Sequence, residues 1–403
     1  MRIFIAVRHS IDPRYFYGGL WSGNFYPALR QLGHEIVESQ VDLLPLSYFM
    51  DVPANFTREE LAARAQITEE ILAEVRRAHQ ERPLDLFLSY FYNAHFDPAG
   101  FEELRTRGIR SLNFYCNSIP QFDLVADIAA KVDLSWHPER DARSRYLAVG
   151  ARPIWVQMGA DPDLNRPIES AGRQQSVCFV GQRYADRDRW LATLISAGVP
   201  LDIYGAGWKA DEAESAGNAA PPASTYLGRK YYPPSTLMSY ARAIQRNLQR
   251  NGLVNGLIQT VRQWQYRRET QRLLTRLAPH AKGRAGDVAA TLGTYEICLN
   301  LSNVWTSGPG SALVPHVRLR DFEGPMCGAC YLTGHTEEIE EFYEVGKEIE
   351  TYRTTEELIE KCNFFLAHPD AAERLRTAGF LRARRDHQWT NRFQTLFTKI
   401  GSS

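Results

Sequence analysis

The order of apolar runs and glycines constrains this chain most, because it spells strand, loop, helix, strand twice over. Ile3–Val7 is a short apolar run of branched residues and reads as a buried strand. Gly18 and Gly19 follow in a loop, Asn24–Leu32 reads as a helix ended by Gly33, and His34–Glu38 reads as a second strand. A βαβ unit of this kind implies a parallel sheet. Strands are predicted again at Leu84–Tyr90, Ser111–Tyr115, Val132–Trp136 and Ile154–Met158, with helices at Arg58–Gln80 and Phe101–Arg107. Turn residues then crowd Gly159–Gln175, among them Asp161-Pro162, Asn165, Arg166-Pro167 and Gly172.

The same order then restarts. Ser176–Val180 is a predicted strand ending at Gly181, Arg187–Ala197 a helix, and Leu201–Tyr204 a strand ending at Gly205-Ala206-Gly207. Glu296–Leu301, Cys330–Thr333 and Glu348–Tyr352 continue the strands, and Thr354–Ala367, Ala371–Ala378 and Trp389–Ile400 close the chain as helices. The expected fold class is α/β, with two Rossmann-like domains facing a cleft. The domains are residues 1–165 and 166–385, followed by a last helix at 386–403. Such a pair suits a ligand held at the carboxyl ends of the strands.

Composition removes several classes. Lys plus Arg and Asp plus Glu are equal at 47, so the basic surplus of a dedicated nucleic-acid binder is missing, and no nucleic acid is expected as partner. No apolar run is long enough to span a bilayer, and Met1–Val7 is too short and strand-like for a signal peptide. Six cysteines in 403 residues are not a disulfide framework, so a reducing cytoplasm is the expected compartment.

One segment departs from this neutrality. Between residues 231 and 285 stand ten basic residues and a single acid, Glu269. Arg242, Arg246 and Arg250 are spaced by four and share one helix face, while Leu237, Ile244 and Leu248, then Leu253, Leu257, Val261 and Trp264, line apolar faces. The segment reads as an inserted basic helical element with three uses open: a solvated scaffold, a contact with an anionic membrane surface on the cytoplasmic side, or a site for an anionic glycan or partner.

Several motifs resemble those of the GT-B fold glycosyltransferases, and most of all the CgeB-like, group-1 type family. Ala28-Leu29-Arg30-Gln31-Leu32-Gly33-His34-Glu35-Ile36 is similar to that fold's first helix-to-strand turn. Val177–Gly181, Arg187 and Asp202–Trp208 resemble the opening of its donor domain. Arg320-Asp321-Phe322-Glu323-Gly324-Pro325-Met326-Cys327-Gly328-Ala329 resembles its R-x-F-E-x-x-x-C-G-A helix, and His387–Arg392 its final helix, which crosses back to the first domain. The resemblance covers residues 1–40 weakly and 176–400 well, with the basic insertion outside it. It implies transfer of a sugar from a nucleotide-sugar donor to a glycan, lipid-linked or protein acceptor. The donor would bind the second domain and the acceptor the first. A non-catalytic nucleotide-sugar or glycan binding protein, or a nucleotide-sugar epimerase, are the competing readings.

The resemblance and the residue types together nominate a site. Gly181, Arg183 and Arg187 follow a strand end, where cations neutralise a diphosphate or lie solvated on the surface. Gly205 and Gly207 permit a close backbone approach to ligand or a plain turn. Ser302 ends a strand before the Gly308-Pro309-Gly310 loop, whose N–H groups would cradle phosphates or simply connect two elements. In the family Glu323 is implied to bind the donor ribose; its alternative is to complement a helix dipole. Arg320 either meets the diphosphate or pairs with an acid. Related retaining enzymes carry a second glutamate eight residues earlier, where this chain has Pro315. Candidate bases in the first domain are His95 and Asp12, and Gly18, Gly19 and Asn117 are candidate acceptor or cleft residues. Cys327 and Cys330 form a C-x-x-C that reads as small-residue packing at a helix-to-strand turn. No Asp-x-Asp or His cluster sits at a strand end, so neither metal nor cofactor is expected, the nucleotide-sugar being a substrate.

Overall fold

The computed structural model describes residues 1–10, 19–168, 172–209, 237–306 and 308–401. Asp12 and Gly18, named above, lie outside the described residues. The chain divides into two compact units. Of the described residues, one comprises Met1–Gln157 and the segment from Trp389 on, the other those between Met158 and Gln388. Read from sequence, the division stood at 165/166.

The first unit is built on a parallel sheet of β1 (Arg2–Ala6), β2 (Glu35–Glu38), β3 (Leu86–Ser89), β4 (Arg110–Phe114), β5 (Leu134–His137) and β6 (Pro153–Trp155), in the order β2-β1-β3-β4-β5-β6. Ile3, Phe4 and Ile5 and all of Leu86–Ser89 are buried, which is why these strands read as continuous apolar runs rather than alternating ones. The helix Leu20–Gln31 covers one face. Its Phe25 ring sits 5.6 Å from Phe114 and from Trp136, and 5.0 Å from Trp389. Trp389 opens the helix Trp389–Gly401, so this last helix completes the first unit's core although 388 residues of chain precede it. The buried Trp389 indole N–H donates to Asn24 Oδ1 at 2.8 Å, and Arg110 and Lys399 tie the same helix to β4 and β6 through the carbonyls of Ile400 and Trp155.

The second unit repeats the plan with β7 (Gln174–Val180), β8 (Leu201–Tyr204), β9 (Ala281–Gly283), β10 (Tyr295–Leu299), β13 (Tyr331–Gly334) and β14 (Glu350–Tyr352), ordered β14-β13-β10-β7-β8-β9. Between β10 and β13 the chain forms a small antiparallel hairpin of β11 (Asn303–Trp305) and β12 (Leu313–Pro315). The strand order reverses direction between β7 and β10, which makes their carboxyl ends the switch point of this sheet.

Two sequence expectations change here. The expected helical insertion at 231–285 ends in a strand: its described part is a helix, Leu237–Leu277, broken at Gly252, followed by the edge strand β9. Leu274 and Leu277 are buried in the second core, so the element is a lengthened crossover between β8 and β9. The helix expected at Ala371–Ala378 runs on from Pro369 to Asp386. Gly379 does not stop it, because that glycine answers a packing need: a Cβ there would lie 2.2 Å from the Glu348 carbonyl oxygen.

Trp389→Phe keeps an aromatic ring but leaves the buried Asn24 Oδ1 without its donor. It is expected to cost about 2 kcal/mol, read as a lower urea midpoint at unchanged m-value. An unchanged midpoint would remove the Asn24–Trp389 bond from the account of how this helix is held.

Candidate functional site

The residues nominated in the second unit converge on the carboxyl edge of its sheet. β7 ends at Val180, and the loop after it is pinned by backbone contacts. Gly181 N donates to Tyr204 O at 2.9 Å, Arg183 N to Ala206 O at 3.1 Å, and the Trp208 indole to Gly181 O at 2.8 Å. These contacts explain the glycines. A Cβ on Gly205 would sit 2.1 Å from Gly181 O, and one on Gly181 would sit 2.7 Å from the Phe179 ring. Gly205 and Gly207 also hold φ of 132° and 88°, where other residues are strained. Of the two readings of Gly205, these contacts account for the turn: it makes room for the neighbouring loop. Gly207 does the same against Arg183, whose Cβ would lie 3.3 Å from its own.

Arg183 is not a solvated surface cation. Its Nε donates to Asp188 Oδ2 at 2.9 Å, and Asp188 is buried. Arg187 is buried more deeply, with 8% of its surface exposed. Its guanidinium donates to Gln182 O at 2.7 Å and to Leu301 O at 3.4 Å, so it bridges the loops that follow β7 and β10. Its Nε meets no acceptor among the described residues. Burial, and then the charge of Arg318, push its pKa down to about 9. His316 is held well below the usual histidine range by burial and by the charges of Arg318 and Arg187. Three groups able to carry positive charge thus face one another at the switch point.

Arg318 was not singled out from the sequence. Its Nε donates to Ser302 O at 3.2 Å and a terminal nitrogen to Asn303 O at 2.9 Å. The signal was available, since Arg318 stands two residues ahead of the Arg320-x-x-Glu323 motif, but an arginine in a loop has no period to mark it. Ser302 Oγ lies 3.0 Å from Thr333 Oγ1, so it braces β10 against β13. The hairpin corrects the phosphate-cradle reading of the Gly308-Pro309-Gly310 loop. The loop is a hairpin tip lying on the long helix, where Gln259 Nε2 donates to Pro309 O at 2.9 Å.

Glu323 lies on the helix Arg320–Met326 and is nine-tenths buried. Arg320 donates to it at 2.9 Å, so of the two readings offered for Arg320 the structure shows the acid pair. Burial opposes the Arg320 charge most strongly, but Glu323 together with Tyr331, Cys327 and Cys178 raises its pKa on balance. The start of this helix is fixed by Asp321, another residue whose role the sequence left silent. Its carboxylate accepts from Asn300 Nδ2 at 3.0 Å, Tyr331 OH at 3.0 Å, Thr333 Oγ1 at 2.7 Å and Arg318 N at 2.6 Å. One buried carboxylate therefore joins β10, β13 and the loop that carries Arg318. A cavity of about 280 Å³ opens at the same edge, lined by Trp190, Ser302, Asn303, Pro315, His335 and Arg353 among others. Pro315, the position of the missing glutamate, is in its wall.

The first unit gives a different picture. His95 is fully buried, with Nε2 3.0 Å from Ser47 Oγ and Nδ1 3.3 Å from Tyr92 N, and burial holds the ring neutral. As placed it offers no exposed nitrogen, which corrects its reading as a base; it braces the loop after β3. Gly19 supplies the left-handed N-cap of the helix Leu20–Gln31, at φ 79°. Asn117 precedes the short helix Ser118–Gln121 without capping it by its side chain. Glu139 does the capping: its carboxylate accepts from Ser118 N and from Ile119 N. Cys327 and Cys330 are buried thiols around the turn into β13, and among the described residues no group of three His, Cys, Asp or Glu is placed to hold a metal ion.

Asp321→Ala strips one acceptor site from four buried donors. It is expected to cost at least about 3 kcal/mol in urea unfolding followed by the second unit's tryptophans, and Asp321→Asn less. A loss under about 1 kcal/mol would show that the helix start is held by other contacts.

The comparisons with known proteins agree with this geometry. Residues 236–398 match the sequence family described as glycosyl transferase-like. No curated protein matches the chain. Among solved structures, the sucrose-phosphate synthase of Thermosynechococcus elongatus is similar at a TM-score of 0.55 and 13% identity, covering 100% of this chain and 99% of its own. A glycosyltransferase from Rickettsia africae gives 0.54 at 10% identity, over 98% and 97%. HepE of Anabaena, solved in complex with UDP, gives 0.52 at 11% identity, over 100% of both chains. At such identities the likeness is one of fold. The chain has the GT-B fold of the glycosyltransferases along its length, and a glycosyl transferase-like sequence over residues 236–398.

Proposed function

We propose that this protein is a glycosyltransferase that draws a sugar from a nucleotide-sugar donor and passes it to a glycan, lipid-linked or protein acceptor. The observation that carries the reading is the pair of guanidinium groups at the switch point of the second sheet: Arg187 and Arg318 each lie 5.9 Å from the Tyr184 ring, and both hold carbonyls of the loop after β10, with a neutral His316 beside them. Positive groups that repel one another in a buried place are stabilised by an anion, and a diphosphate brings one of the right size and charge. In the reaction the bond from the sugar's anomeric carbon to the terminal phosphate oxygen breaks as the acceptor oxygen bonds to that carbon. The acceptor proton leaves to a base, and the diphosphate departs with the bonding pair. Arginines at the diphosphate stabilise this leaving group, and in this reading no metal is assigned to the task. Glu323, by the family resemblance, accepts hydrogen bonds from the donor ribose. HepE has been solved with UDP and with UDP-glucose, which favours a uridine diphosphate donor here.

A thermal-shift titration tests the donor. UDP or UDP-glucose is expected to raise the melting temperature, since saturation at a hundredfold excess over Kd adds about 2.7 kcal/mol to the folded state. Glu323→Ala and Arg318→Ala are each expected to weaken this binding at least about tenfold. Release of free UDP that depends on an added acceptor would then separate transfer from binding or epimerisation. No shift with UDP-, GDP-, TDP- or CMP-sugars would overturn the donor site.

A further inference from the structure

The long helix Leu237–Leu277 has a break at Gly252, where φ is 73° and ψ 177°, and the arm beyond it has two unlike halves. The half nearest β9 is held by the second unit. Tyr266 OH donates to Ala185 O at 2.7 Å, Glu269 pairs with Arg189 at 2.6 Å, and Leu274 and Leu277 are buried. The other half is apolar where it meets solvent. Leu253 is 72% exposed, Val254 69%, Leu257 50%, Ile258 45%, Val261 54% and Trp264 56%.

At about 100° per residue these six side chains fall within an arc of roughly 140°, so they form one face, and that face runs about 18 Å along the arm. Arg268 and Arg272 continue the same face toward the body of the unit, and Arg262 and Arg267 flank it, all four exposed. The guanidinium of Arg268 lies 5.5 Å from the Trp264 ring, and that of Arg267 lies 5.7 Å from the ring of Tyr240. From Leu237 to Arg268 the sequence holds no acid, and the next residue, Glu269, is engaged by Arg189. Isolated exposed leucines need no explanation, but six on one face with a cationic margin do.

We propose that this arm is a docking surface for an anionic lipid bilayer. The Leu253–Trp264 face enters the boundary between headgroups and acyl chains, and Arg262, Arg267, Arg268 and Arg272 meet lipid phosphates. Apolar area and arginine charge then act on the same surface, the arginines adding electrostatic attraction to an anionic leaflet. Charge decides between a bilayer and a second copy of the chain. Self-pairing of this face would bring arginine margins together with no unengaged acid on the arm to answer them. The inference concerns the arm alone and does not rest on the donor reading.

Co-sedimentation of the full chain with vesicles tests it. One set is phosphatidylcholine alone, and the other carries about a third phosphatidylglycerol. Binding to the anionic set is expected, at least about tenfold weaker on the neutral set and weakened by salt. The double variant Leu257→Asp, Val261→Asp changes two exposed positions, so its melting temperature should match the parent, and its vesicle binding should fall at least about tenfold. Arg268→Glu with Arg272→Glu should lose the preference for anionic lipid. The proposal is overturned if the parent ignores anionic vesicles, or if the Asp variant binds them as well as the parent. It is equally overturned if light scattering shows a dimer without lipid that the Asp variant turns into monomers.

Discussion

The side-by-side parallel pairing of β7 with β10 governs everything in the second unit. Cys178 faces Cys298, and Phe179 faces Leu299, although some 120 residues separate the partners in sequence. Parallel strands deliver their carboxyl ends to the same edge, and here the chain then leaves toward different neighbours. After β7 it enters the helix Arg187–Ser196, and after β10 the hairpin and the helix Arg320–Met326. The two loops would splay apart if nothing crossed between them. Arg187 crosses, holding Gln182 O with one nitrogen and Leu301 O with another. The edge that results combines backbone polar groups, arginines and a cavity, as expected at the switch point of an open parallel sheet.

The strands were legible where burial is complete on both faces, as in Ile3–Ile5 and Leu86–Leu88, because short, continuous apolar runs of this kind suit a strand covered on both sides. Longer-range reasons were not legible. Gly205 reads as a ligand-facing glycine until the chain folds and Gly181 O arrives where its Cβ would be. The reason for a glycine inside the helix Pro369–Asp386, Glu348 O against Gly379, likewise appears only in the fold. His95 reads as a candidate base by its place after a strand end, with a structural role among aromatics as the alternative; Ser47, far from it in sequence, takes its Nε2. Asp321 and Arg318 were visible as letters inside or beside a motif. Their roles depend on Asn300, Tyr331 and Thr333, which only the sheet brings together. Periodicity reports which face is buried; it carries no information on which distant group a buried polar atom will meet.

The long helix shows the same limit from the other side. Its charge and its apolar spacing were plain in the sequence, and they marked an inserted basic helical element without showing where it is anchored. Leu274 and Leu277 make its end part of the core instead, and Tyr266 and Glu269 seat its middle. A helix anchored so firmly at one end can carry an exposed apolar face at the other without unfolding, since the exposed turns need contribute nothing to the core.

Buried arginines offer the sharpest contrast within the second unit. Arg376 is 4% exposed and holds a backbone carbonyl, that of Glu296, much as Arg187 holds Leu301. Arg376 also has carboxylates beside it, Glu296 at 3.2 Å and Glu373, so its charge is balanced within the fold. Among the described residues no carboxylate lies within ion-pair distance of Arg187, and its strongest charged neighbour, Arg318, repels it. At neutral pH a guanidinium with its pKa pushed to about 9 is still charged, so the folded state bears that repulsion. Because the folded pKa lies below the unfolded one, the cost is full at neutral pH and falls only as pH rises above about 9. A protein selected for stability alone has no use for such an arrangement. Under the proposed function, a bound diphosphate would offset both the burial of the Arg187 charge and its repulsion by Arg318.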